Sequence, residues 1–238
     1  MLLALDESFL SKALERTSFN LTASDFQTLD HKLEIRHLIS KYLLSIEYNP
    51  FCEFDIKDLN KTVSNLRTNR RFDSLFYYNL KGIGPGEILL YYLLDDAKLG
   101  GGSVSGDIVL PQVNFEVKAV DFSADGYMSN FKLGGMVPLH NIAEQIYNLV
   151  KEYDLKGSET EIPKSTVSVL RNRGLLTAIE NLYRSTSHKH YFCKHDFMFM
   201  NSSKKNLGQI EYFGPVQQEF IFLERVSNGT IKPMIKTV

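Results

Sequence analysis

Cysteine is scarce in this chain: Cys52 and Cys193 are the only two in 238 residues. Two thiols do not make a disulfide framework, and their rarity fits a reducing compartment. In that setting the N-x-S/T triplets at Asn20, Asn60, Asn201 and Asn228 are chance matches. Long apolar runs are also missing. None approaches the roughly 18–20 residues that span a bilayer, and the opening MLLALDESFL brings in acids too early for a secretory leader. A cytoplasmic protein without a membrane partner is therefore expected. There is no internal repeat, no low-complexity tract and no tryptophan. Net charge is nearly absent as well, at −1, so no global field marks a nucleic-acid partner.

What is present is an ordinary globular composition, 43% hydrophobic and 23% charged. The length allows one large domain, or a core with a smaller appendage. Charge is patterned locally instead. Residues 1–60 hold ten Asp/Glu against six Lys/Arg. From Lys164 to Lys205 eight Lys/Arg, among them Arg171, Arg173, Lys189 and Lys194, face only Glu180 and Asp196. A second basic cluster, Lys61, Arg67, Arg70 and Arg71, runs without an acid. Basic stripes on a near-neutral chain suit contact with a phosphate backbone along one face; solvated helix faces are the competing account.

Apolar periodicity predicts helices over 6–16, 24–48 and 55–72, so residues 1–80 read as a helical region. The character changes at the glycine-rich stretch 82–86, where Pro85 opens an apolar helix over 86–97, closed by the glycines at 100–102. Strands are expected near 104–110 and 113–120, with Pro111-Gln112 between them, and a third over 130–137. Asn141 with Glu144 reads as a capping box for a helix to about 153. A helix or helix pair broken near Gly174 covers 163–184, and strands follow over 191–200, 208–213, 219–226 and 230–236. This order implies an α/β or α+β fold with a mixed sheet over residues 81–238.

The run GPGEILLYYLLDDAKLGGGSVSGDIVLPQVNFEVKAV, from Gly84 to Val120, is the chemically suggestive part. If Pro111-Gln112 is a two-residue turn, Leu110 opposes Val113 and Asp107 opposes Glu116. Such pairs have Cβ atoms about 4.5–5.5 Å apart. Lys118 then shares the face of Glu116, while Phe115, Val117 and Ala119 face a core. Two opposed carboxylates repel, and a bound Mg²⁺ or Mn²⁺ removes that penalty. The register is the weak point, because proline cannot enter a type I′ turn and a one-residue slip would part the two acids. Glu87, in the first turn of its helix, is either stabilised there by the helix dipole or adds a third carboxylate.

Helix-borne Glu87, the SGDI strand with Asp107 and the FEVKA strand with Glu116 and Lys118 resemble the PD-(D/E)XK nuclease superfamily over roughly residues 84–150. Gly106 replaces the proline before the aspartate. The resemblance implies a restriction-endonuclease-like core of mixed sheet flanked by helices. It also implies a metal-dependent DNA endonuclease, phage-encoded, acting in the host cytoplasm or carried in a virion, as a homodimer or with phage assembly components. Asp107, Glu116 and Glu87 would hold Mg²⁺ or Mn²⁺, and Lys118 would act on the attacking water. Arg67, Arg70, Arg71, Lys132, Arg171, Arg173, Lys189 and Lys194 would contact DNA. Gln145 resembles a glutamine of some exonuclease branches, but Leu149 stands where a tyrosine partner belongs. A non-catalytic DNA-binding or virion protein keeping the fold, and an RNA-directed nuclease, are the alternatives.

Other signals are weaker. His188, His190, Cys193 and His195 have zinc-like spacing, yet on a strand they would face opposite sides in pairs. The glycines at 82, 84 and 86 lack the G-K-S/T of a phosphate loop. No Ser-His-Asp or Cys-His arrangement has supporting context.

Overall fold

The computed structural model describes Lys32, Arg36 and residues 56–69, 72–77, 83–94, 97–100, 106–133 and 139–236. The helix expected over 6–16 lies outside these residues, as do Cys52, Arg70, Arg71 and all of the helix expected over 24–48 except Lys32 and Arg36, which are helical. Among the described residues there are six helices and nine strands, and the strands form an antiparallel sheet. A mixed α and β architecture agrees with the sequence pattern. The registers of β1–β2, β2–β3, β3–β4, β4–β9, β5–β8 and β8–β9 are all antiparallel, where that pattern led to a mixed sheet. The chain divides into two compact units, Met1–Val117 with Met200–Phe213, and Lys118–Phe199 with Gly214–Val238.

In the first unit, α1 (Ile56–Arg67) buries Leu59, Val63 and Leu66, a stripe at helical spacing. Asn60 fixes this helix to β7 (Ile210–Gly214) by donating to the Ile210 carbonyl and accepting from its N–H, at 2.8 and 2.7 Å. After α2 (Asp73–Tyr77), α3 (Pro85–Leu93) has Pro85 at its first position, and every residue from Ile88 to Leu93 is buried. A helix apolar all round belongs in a core. It stops at Leu93, short of the expected 97. Lys98–Leu99 instead forms β1, pairing with β2 (Ile108–Val109), which pairs with β3 (Asn114–Phe122).

In the second unit, β3 pairs with β4 (Tyr127–Ser129), so the third strand comes earlier than the 130–137 expected. The capping box does not form. Helix α4 (His140–Glu152) starts before Asn141, and its N-cap Leu139 makes no side-chain bond. Its apolar stripe of Ile142, Ala143, Ile146 and Val150 is buried. β5 (Glu161–Ile162) leads into α5 (Lys164–Asn172) and α6 (Thr177–His190), a pair broken at Gly174 as its sequence position indicated. Helix α6 runs six residues beyond the expected end. The strand expected from 191 begins only after the turn Phe192–Lys194, as β6 (Asp196–Asn201). β8 (Ile221–Ser227) and β9 (Thr230–Lys236) close as a hairpin at Asn228-Gly229, where both residues take positive φ.

A buried carboxylate holds the helix pair to β8. Glu180 accepts from Arg171 at 2.9 and 3.3 Å and from the Leu223 N–H at 3.1 Å. Arg171 also donates to the Leu223 carbonyl, and Arg184 to that of Ile221. Removing one member of such a network leaves uncompensated charge. Glu180→Ala should cost about 3 kcal/mol of unfolding free energy in urea. Glu180→Gln, which still accepts from Leu223, should cost less; a loss below about 1 kcal/mol for the alanine variant would contradict this.

Candidate active site

The β2–β3 hairpin carries the candidate residues. Val109 pairs with Asn114 and Ile108 with Phe115, and the Leu110 N–H donates to the Val113 carbonyl at 2.9 Å. The loop is therefore the two-residue Pro111-Gln112 turn, and the expected register holds from Leu110 back to Ile108. Neither loop residue takes positive φ. Turns other than the primed types splay the strands they join, which explains why the ladder lasts only two residue pairs.

Where the ladder ends, Asp107 is held by three hydrogen bonds. Its N–H donates to the Phe115 carbonyl at 2.9 Å, its carbonyl accepts from Gly100 at 2.8 Å, and its Oδ2 accepts from the Val117 N–H at 2.8 Å. The carboxylate thus occupies the position of a ladder carbonyl, beside the backbone that joins Glu116 to Lys118. Simple cross-strand opposition of Asp107 and Glu116 is replaced by this closer engagement. The local cause is Gly106. Its φ of +91° turns the chain, and a Cβ there would stand 2.9 Å from the Phe115 carbonyl oxygen. Gly100 is needed as well, since its Cβ would fall 1.9 Å from the Gly106 carbonyl oxygen.

Strand β3 alternates as expected up to Lys118. Phe115 and Val117 are buried, and Glu116 and Lys118 are half-buried. Ala119, expected to face a core, is exposed, and Val120 is buried in its place. The buried side of the strand changes just past the E-x-K triplet, which leaves Glu116 and Lys118 partly accessible.

Glu87 caps its own helix: the Gly84 N–H donates to its Oε1 at 3.1 Å. A Cβ on neighbouring Gly86 would meet the Val117 side chain at 3.3 Å and the Met200 sulfur at 3.0 Å. The helix start therefore packs on Val117, whose side chain points away from the face shared by Glu116 and Lys118. Among the described residues, no group of three or more His, Cys, Asp or Glu side chains is placed to hold a metal ion. The donor chemistry of Asp107 and Glu116 nevertheless suits a hard divalent cation, which takes oxygen ligands and keeps several waters.

The other predicted residues are spread over the fold. Lys132, Arg173, Lys189 and Lys194 are exposed. Arg171 is committed to Glu180, a buried partner nine residues away that a basic run conceals. Arg67 donates to the Lys205 carbonyl at 2.8 Å and lies over the Phe76 ring, and burial lowers its pKa. His188 and His190 sit on helix α6 rather than a strand, and Cys193 donates to the Lys189 carbonyl. At the end of α6, His188, Lys189 and His190 complement the helix dipole, a structural role for part of the basic run. Sequence reasoning missed Arg225 and Lys232, which no spacing rule marks. Comparison with family models, curated proteins and solved structures gives no match.

Gly106→Ala should destabilise the chain by about 1–3 kcal/mol, because the added Cβ is both strained and crowded. It should also release the Val117 amide, read as faster hydrogen exchange at that residue. Unchanged exchange there would contradict the bond to Asp107.

Proposed function

We propose that the chain is a divalent-metal-dependent DNA endonuclease of PD-(D/E)XK type. The observation that carries this reading is the Asp107 carboxylate on the Val117 N–H, 2.8 Å away, between Glu116 and Lys118. Asp107 and Glu116 would supply oxygen ligands for Mg²⁺ or Mn²⁺. The bound ion supplies Lewis acidity toward a phosphate oxygen and a water acidified toward hydroxide. Lys118 positions that water and offsets the negative charge that grows on the phosphate as the new P–O bond forms. Glu87, at the start of α3, acts at longer range, its negative charge adding to the attraction for the cation. The amide of Val117 keeps the Asp107 carboxylate from turning away, so the ligand is positioned before the ion arrives. Exposed Lys132, Arg173, Lys189 and Lys194 contribute attraction for a phosphate backbone.

Supercoiled plasmid should be cleaved by the wild type in Mg²⁺ and left intact in EDTA. Asp107→Ala, Glu116→Gln and Lys118→Ala should each lower the rate by at least about 10²-fold. Wild-type rates in the Asp107 and Glu116 variants would remove the assigned site. Saturating Mg²⁺, at about 100 times its dissociation constant, should stabilise the wild type by about 2.7 kcal/mol and leave the Asp107→Ala variant unaffected. Glu87→Gln retains an acceptor for the Gly84 N–H while losing its charge. It should keep the wild-type melting temperature and lose cleavage at limiting Mg²⁺, recovering with excess metal; full activity at limiting metal would leave Glu87 as a cap alone.

A further inference from the structure

The second unit brings together, beside Lys132, two cations that the proposed reaction does not use. On the β8–β9 hairpin, Arg225 lies directly opposite Lys232. Like charges so opposed repel, and Lys232 is also buried, which disfavours its charged form. Its pKa is held below the usual lysine range, first by burial, then by Lys132 and Arg225, with Glu224 and Glu161 acting in the other direction. The irregularity that creates this pairing is a register shift between Leu223 and Arg225, which makes Glu224 the extra residue of a β-bulge.

Among the described residues, Glu224, Glu161 and Asp121 each have another donor. Glu224 accepts from the Asn130 N–H at 3.3 Å and lies 3.6 Å from the Lys164 ammonium. Glu161 accepts from the Asn228 N–H at 2.8 Å and from Ser227 at 3.3 Å. Asp121 accepts from the Asn130 side-chain amide at 3.0 Å. Among the described residues, Lys132, Arg225 and Lys232 form no ion pair. The Arg225 guanidinium is nonetheless fixed, since its Nη2 donates to Asn130 Oδ1 at 2.7 Å. Its Nε is buried and has no partner. A buried donor left without an acceptor is costly, and on a cation it points to a missing anion.

We propose that Arg225, Lys232 and Lys132 form a binding site for a phosphate oxyanion, filled in this chain by a backbone phosphate of DNA. The planar guanidinium gives directional N–H donors to phosphate oxygens, and the two ammonium groups add charge. An anion there accepts from the unpartnered Nε and relieves the repulsion between Arg225 and Lys232. Exposed Lys132 gives access from solvent. The choice of DNA as the source of the phosphate rests on the proposed function; the convergence of cations does not.

The test uses the full chain in EDTA, with a fluorescein-labelled short DNA duplex titrated by anisotropy over a salt series. An Arg225→Gln, Lys232→Met double variant should lose about tenfold in affinity at low salt, and its log–log salt slope should flatten by about 1. Lys132→Ala, at an exposed position that does not bear on folding, should lose about threefold. Inorganic phosphate should raise the melting temperature of the wild type and not that of the double variant. Wild-type affinity and slope in both the Lys132 and the double variants would overturn the site, as would failure of the wild type to bind the duplex. A phosphate-dependent melting shift with unchanged DNA binding would overturn DNA as the occupant. Plasmid cleavage in Mg²⁺ is scored separately. Binding that depends on these cations without cleavage sinks the nuclease reading alone, and cleavage with the full salt slope in the variants sinks this site alone.

Discussion

The hydrogen bond from the Val117 amide to the Asp107 carboxylate is the constraint on which the candidate site depends. A ladder carbonyl ordinarily accepts from such an amide. Here the backbone turns away at Gly106, and a side chain takes over the acceptor role. The substitution has two consequences. It satisfies a strand N–H that would otherwise be left without a partner, and it pins a negative charge against the strand that bears Glu116 and Lys118. The surrounding features all serve it: the negative-φ turn that ends the ladder early, the close approach of Gly100, and the Phe115 carbonyl that receives the Asp107 N–H.

The same segment shows why some of the architecture was legible in the sequence. Register follows from loop length, so counting outward from Pro111-Gln112 gave the partners of Leu110, Val109 and Ile108. It did not give that of Asp107, whose N–H goes to the Phe115 carbonyl rather than pairing it with Glu116. Glycine at 174 marked a helix break, because few other residues adopt positive φ. The bulged end of β2 was not legible, since it depends on one carboxylate competing with backbone for an amide. Nor was the exposure of Ala119, because the buried side of a strand is decided by what packs on it. Alternation carries the pattern only while one core persists, and here it changes at Lys118.

Charge was the least legible property. The run from Lys164 to Lys205 looks like a uniform basic face, yet its members do different work. Arg171 and Arg184 converge on buried Glu180 and the carbonyls of β8, a task set by tertiary neighbours. The three residues that end α6 lie where positive charge is favoured by the helix itself. Arg225 and Lys232, which form no ion pair among the described residues, stand far along the chain from Lys132 and meet each other through strand pairing. Linear charge counting weights a solvated lysine and a buried one equally. Physical cost separates them, because only the buried, opposed and unpartnered ones ask for an anion.

The central claim is that Asp107 and Glu116 hold a divalent cation next to Lys118. Anomalous diffraction from crystals soaked in Mn²⁺ tests it most directly. The account predicts a manganese peak about 2.0–2.3 Å from a carboxylate oxygen of each residue, with waters in the remaining positions. It also predicts that the peak disappears in the Asp107→Ala variant. A saturating soak that leaves both carboxylates without metal, with Asp107 still on the Val117 amide, would contradict it.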